Sequence, residues 1–359
     1  MNESKSGKRS SKGVVKMTDC LRPFHHSIIQ ENRQYIMGFA ILCIMFCHNS
    51  IELGKFWVIC KQIAQFGVDI FLFLSGYGLA RSYMTKKTGF LKRRLKRIIP
   101  SYLMVAVPFI LIWSVVNPGS FLKKIWDYSL ISFYVNGNLT EWYIAVLLLL
   151  YVLYPLFFDI SNRILPAAMI CILIWLVSLF VGYGPIQLPR NIRIINEIFV
   201  IRIPVFILGT TYYIHENRFN QGRISVIMQI VFASILALIF CVRFKMNNHY
   251  WTLIRMLFTP LAISCSFVFA SFIERAPNEI KRIFAFLGEI TLEVYLIHEE
   301  LISLGMRAIS HFFHFFISTN QFWNSIFNII VAILTCLLAA FCIRMKQTFL
   351  DSNHNPGKT

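Results

Sequence analysis

His48 closes an apolar run from Ile36 to Cys47, and an imidazole at membrane depth is costly unless it meets a cavity or a partner. Such a ring titrates near neutrality and suits general-base work on a hydroxyl. Other groups are set the same way. Asp69 begins a second apolar run, Glu141 stands just ahead of Trp142 and Tyr143, and Glu293 and His298 lie in a late one. A histidine bonded to a neighbouring helix is the plain structural alternative for each ring. Acids or imidazoles on four apolar segments nonetheless argue for a polar interior rather than a purely structural bundle. A different chemistry is offered by the basic cluster Lys92-Arg93-Arg94-Leu95-Lys96-Arg97. Arg94 and Arg97 are three apart and so point one way on a helix. Guanidinium forks match phosphate oxygens, although a topology signal or lipid headgroup contact uses the same charges. Ser75-Gly76 suits close helix approach, and without His or Asp partners at usable spacing Ser75 is no triad nucleophile. None of the nine cysteines forms a CxxC pair, and Cys43 and Cys47 beside His48 lack converging ligands, so no metal is expected.

The elements that hold these groups must be membrane helices. Of the 359 residues 57% are hydrophobic and 14% charged, with mean hydropathy +0.61, whereas soluble domains run at about 45–50% apolar and about 25% charged. Spans of about 20 residues fall at 35–53, 62–84, 98–117, 140–158, 164–184, 197–215, 224–243, 251–273, 284–307 and 323–344. The fold class is therefore all-α, a polytopic membrane protein of about ten transmembrane helices. The net charge of +18 raises nucleic acid as a partner. However, the basic residues gather in short segments between apolar runs, and no basic–aromatic groove or zinc spacing accompanies them. Lys and Arg concentrate before the first span, after the second and after later even-numbered spans. Both termini are thereby expected in the cytoplasm. Residues 1–34 read as a basic cytoplasmic arm, too long and polar for a signal peptide and disordered by composition. Residues 35–345 form the transmembrane domain and 346–359 a short cytoplasmic tail.

Four blocks between Ile36 and His298 carry a family resemblance. They are the run from Ile36 to His48, Gly67-Val68-Asp69 leading to Ser75-Gly76-Tyr77, Arg94-Leu95-Lys96-Arg97 followed by Pro100 and Tyr102, and the helix closing on Tyr295-Leu296-Ile297-His298. Glu141-Trp142-Tyr143 with Tyr151 to Pro155 makes a looser fifth. In order and spacing they resemble the membrane-bound acyltransferase-3 family, whose members O-acylate surface glycans and other acceptors. The chain departs from that pattern at Met37, where the family commonly carries an Arg eleven residues before its His; Arg33 stands one turn earlier.

The resemblance implies an O-acyltransferase in the inner or plasma membrane. Its donor would be cytoplasmic acyl-CoA, most often acetyl-CoA, and its acceptor a hydroxyl of a surface or lipid-linked glycan. His48 is then the catalytic base or a transiently acylated nucleophile, and Arg94 and Arg97 bind the CoA phosphates. Asp69, Ser75, Glu141, Trp142, Tyr295 and His298 would support them. About fifteen residues follow the last span, so the membrane domain itself is expected to complete transfer. The rival reading is a transporter or flippase with buried titratable groups. Against it stand the absence of an internal repeat and of any span broken by Gly or Pro at mid-depth.

Overall fold

Bilayer cores offer no water to backbone amides, so apolar runs of this length satisfy themselves as helices. The computed structural model describes residues 27–51, 53–185, 188–219, 221–245, 251–312 and 321–354. Among the described residues there is helix and no strand. In chain order the first helices are α1 (Ile28–Glu31), α2 (Arg33–His48), α3 (Lys55–Ala64), α4 (Phe66–Thr85), α5 (Phe90–Val116), α6 (Phe121–Tyr128) and α7 (Ser132–Asn136). There follow α8 (Trp142–Val152), α9 (Tyr154–Ser161), α10 (Ile164–Tyr183), α11 (Arg190–Ile198) and α12 (Ile203–His215). The last are α13 (Gln221–Lys245), α14 (Trp251–Arg275), α15 (Asn278–Glu289), α16 (Thr291–Phe312) and α17 (Gln321–His354).

Six stretches are long and apolar enough to cross a bilayer: Lys55–Thr85, α5, α10, Gly222–Arg243, α14 and Trp323–Thr348. A seventh forms if α8 and α9 are one span, bent by 63°. The other spans expected from hydropathy are helical but shorter or interrupted. α2 stops at His48 rather than 53, a 3-10 turn (Val200–Arg202) precedes α12, and the helix expected over 284–307 breaks between Glu289 and Thr291. The bend at Leu153 also corrects the expectation that no span is broken midway: Pro155 lies two residues on, and its missing N–H lets the ladder open there. Of the arm expected to be disordered, residues 1–26 lie outside the described residues, but 27–34 are ordered. Ile29 is fully buried and Asn32 Nδ2 donates to Glu274 Oε1 at 3.1 Å. At the other terminus α17 runs on through His354, so the tail expected from 346 begins as helix.

α4 is buried over most of its stretch from Phe66 to Ala80, while α10, α13 and α17 turn Leu165, Ile230 and Leu337 outward, as lipid-facing helices do. Where the helices cross, glycine replaces side-chain interdigitation. A Cβ on Gly76 of α4 would overlap Phe206 O of α12, and one on Gly209 of α12 would overlap Phe73 O of α4. Gly38 of α2 and Gly288 of α15 meet Phe284 O and Gln34 O in the same way. These are small-residue contacts that let helix backbones approach in a membrane. Gly76→Val and Gly209→Val are each expected to destabilise the bundle by about 1–3 kcal/mol or more, read as lower Tm and less monodisperse protein in detergent.

Candidate functional site

α2 carries two candidate groups at its two ends. Arg33 opens the helix and His48 closes it, and fifteen steps of 1.5 Å separate them by about 22 Å along the axis. The helix ends where Asn49 turns extended. The Asn49 amide donates to Phe46 O at 2.6 Å and its Oδ1 accepts Ile51 N–H at 2.9 Å. Ser50 is fixed from α17, with Ser50 N–H donating to Asn328 Oδ1 at 3.1 Å and Ser50 Oγ to Asn324 Oδ1 at 2.6 Å. Lys61 Nζ donates to Asn49 O and Ile51 O. His48 therefore stands on a clamped helix end.

His48 Nδ1 lies 2.5 Å from Glu299 Oε1, with the two side chains 38% and 49% exposed. The ring stands at the end of α2 and is partly exposed rather than enclosed in the bundle. His298 is buried as expected and packs edge-on against His48 at 5.1 Å. Its Nδ1 is 2.7 Å from Tyr295 O and 3.1 Å from Val294 O, so the proton sits on Nδ1 and Nε2 carries the lone pair. That buried Nε2 has no hydrogen-bond partner among the described residues. His48, His298 and Glu299 offer atoms within 4.8 Å of one another that could ligate a metal. Two zinc ligands at about 2.0 Å in a tetrahedron stand roughly 3.3 Å apart. The 2.5 Å between His48 and Glu299 is thus the spacing of a hydrogen-bonded pair.

Two cavities lie near this pair. At the Arg33 end a slender inner cavity is lined by Arg33, Arg94, Arg97, Ser75, Tyr143 and Tyr295, among others. No carboxylate lines it among the described residues. Arg33 Nη2 approaches Leu74 O at 3.4 Å and lies against Gly78, while Arg94 Nη2 reaches Gly78 O at 3.5 Å. Two guanidinium groups from different helices thus converge on one bare stretch of α4. Lys346 Nζ donates to Arg97 O at 3.0 Å and to Ser101 Oγ at 2.8 Å, and Ser101 Oγ donates to the buried Glu293 Oε1 at 2.7 Å. This tether fixes the start of α5, which carries Arg97, against α16 and α17. Met37 also lines the inner cavity, one turn above Arg33.

At the His48 end lies an open outer cavity of about 580 Å³, lined by Trp113, Lys124, Glu141, Glu299, Glu300 and Arg307, among others. Trp113 Nε1 donates to Glu300 Oε2 at 2.6 Å, and Lys124 and Arg307 lie over the Trp113 ring at 4.9 and 5.1 Å. Glu141 stands in the left-handed region, φ 55°, at the head of α8. Its side chain is buried. A chamber of this size with several donors and acceptors suits a polar ligand.

The remaining expected residues meet elsewhere. Buried Asp69 pairs with buried Arg202 at 3.1 Å, and Arg202 lies over the Trp142 ring at 5.6 Å and donates to Ile198 O at 2.6 Å. Asp69 and Trp142 line neither cavity and join α4, α8 and the start of α12. Sequence reasoning missed Glu299 and Glu300, although both directly follow His298, and it missed Arg202 and Arg307 altogether. Arg33 was legible only as a neighbour of the departure at Met37. Cys43 and Cys47 do not join His48 in the ligand group, and the eight described cysteines are free.

A family model described as an acyltransferase domain matches residues 34–345. The chain belongs to the acyltransferase-3 family. No curated protein and no solved structure matches it.

Proposed function

We propose that this membrane acyltransferase moves an acyl group, acetyl in the simplest case, from cytoplasmic acyl-CoA to a hydroxyl of a cell-surface or lipid-linked glycan. The observation that carries the reading is the placement of three arginines at one end of α2 and the His48–Glu299 pair at the other. A donor that fits is elongated, polyanionic at one end and reactive at the other. Acyl-CoA has that form: its phosphates would meet Arg33, Arg94 and Arg97, and its pantetheine arm would run along the inner cavity toward His48. The outer cavity, with its carboxylates and cations, would receive sugar hydroxyls.

In the proposed chemistry the Glu299 carboxylate accepts a hydrogen bond from His48 Nδ1–H, so Nε2 is the base and the developing imidazolium is stabilised. Nε2 takes the proton of the acceptor hydroxyl as its oxygen attacks the thioester carbonyl carbon. The tetrahedral intermediate then breaks its C–S bond, and the CoA thiolate takes the proton back from the imidazolium. The thioester is already activated, so positioning and one base account for most of the acceleration required.

Membranes carrying the protein, given labelled acetyl-CoA, are expected to accumulate an acetylated glycan fraction. Membranes that move glycan while leaving acetyl-CoA intact would identify a transporter instead. The reading also requires the arginine end to face the cytoplasm of an inner or plasma membrane, with both termini on that side. Reporter fusions at either end of the chain are expected to report a cytoplasmic location. A reporter active only outside would leave the arginine cavity without access to CoA.

A further inference from the structure

Among the described residues the inner and outer cavities share one lining residue, Tyr295. It sits on α16 one turn before Glu299, so the two side chains occupy one face. Its ring packs 5.0 Å from that of Tyr143, which lines only the inner cavity, and 5.7 Å from His298, which in turn meets His48. The rings form a continuous row from the arginine chamber to the imidazole–carboxylate pair.

We propose that Tyr295 is the partition between a donor chamber and an acceptor chamber, and a positioning residue for the proposed transfer. With the ring in place, water in the outer cavity is kept from the inner one. An acyl chain arriving from the arginine end meets the ring and is presented beside it to His48. Such a wall answers a chemical need, because excluding water is what protects a reactive acyl group from hydrolysis. Hydrolysis would use the same atoms as transfer. Water would attack the thioester carbonyl carbon and lose its proton to His48, the C–S bond would break, and the CoA thiolate would recover the proton.

This inference rests on the proposed acyl-CoA chemistry, and two measurements separate its failure from the failure of that reading. In the first, CoA release without acceptor is compared with acyl transfer. Tyr295→Ala is expected to raise release several-fold while transfer falls, and Tyr295→Phe, which keeps the ring, is expected to retain the wild-type ratio. Equal losses of release and transfer in Tyr295→Ala, or a Phe variant that leaks like Ala, would overturn the partition. The second measurement needs no CoA. In a chain whose nine cysteines are replaced, Ser75→Cys reports on the inner cavity and Ser303→Cys on the outer one. With Tyr295 present, a membrane-impermeant maleimide is expected to label the two from opposite sides of sealed vesicles, and with Tyr295→Ala to label both from either side. Labelling of both from one side with Tyr295 in place would overturn the proposal whatever the enzyme's substrate.

Discussion

His48→Ala is expected to lower acyl transfer by about 10²–10⁴ while leaving expression and membrane insertion intact, since that is the usual worth of a positioned general base. The structure sharpens this expectation in two ways. First, His48 is the last residue of α2 and is partly exposed beside Glu299, which lines the outer cavity, so truncation removes the ring without hollowing a packed core. Second, its Nδ1 is engaged by Glu299 at 2.5 Å, so Glu299→Gln is expected to lower the rate through the same group. An amide at that position can donate to Nδ1 and hold the ring in the tautomer that leaves Nε2 protonated and unable to accept. His298→Ala provides the comparison. That ring is buried, tied by Nδ1 to main-chain carbonyls and packed against His48, so its loss is expected to be milder, through the orientation of its neighbour. Mass spectrometry of the acylated product decides among them. Product near the wild-type level in the His48→Ala strain would remove His48 from the chemistry and leave His298, with its unpartnered Nε2, as the imidazole to examine.

How much of this was legible before folding depends on whether the signal was local. The helical, membrane-embedded character follows from apolar runs, which need no partner to be recognised. Individual spans were harder, because helix ends are set by tertiary clamps. Asn324 and Asn328 of α17 fix the residues after His48, and no pattern in residues 35–53 announces them. His48, Arg94 and Arg97 were visible as costly groups at informative positions. Glu299 was not, since an acid beside an imidazole is unremarkable until α16 brings it against the end of α2. Asp69 looked like a site residue for the reason His48 did, an ionisable group in an apolar run. The difference is its partner: Arg202, far along the chain, neutralises it inside the bundle. Burial of a charge therefore identifies a residue with a purpose, and only the fold says whether that purpose is a pair or a cavity.

Arg33 is the residue whose meaning the fold changes most, and its removal should be felt at the donor. Arg33, Arg94 and Arg97 line one cavity from two helices, with no carboxylate among its described lining residues. A phosphate-bearing donor would be held there by charge-assisted hydrogen bonds worth roughly 1.5–3 kcal/mol each. Arg33→Ala, Arg94→Ala and Arg97→Ala are each expected to raise the apparent donor KM about tenfold or more, with smaller changes in acceptor KM. Lys at these positions should restore only part of the loss, because an ammonium lacks the bidentate fork. The departure at Met37 supplies a stricter test. Met37 lines the same cavity one turn further in, at the position where the family commonly carries its Arg. If the cavity needs a third guanidinium rather than Arg33 as such, Met37→Arg in the Arg33→Ala background should recover most of the lost donor affinity. Met37→Leu in that background should recover none. Ala variants at all three arginines that insert normally and keep the wild-type donor KM would reduce the cluster to a topology signal. In that case the phosphate-binding site would have to lie elsewhere on the cytoplasmic face.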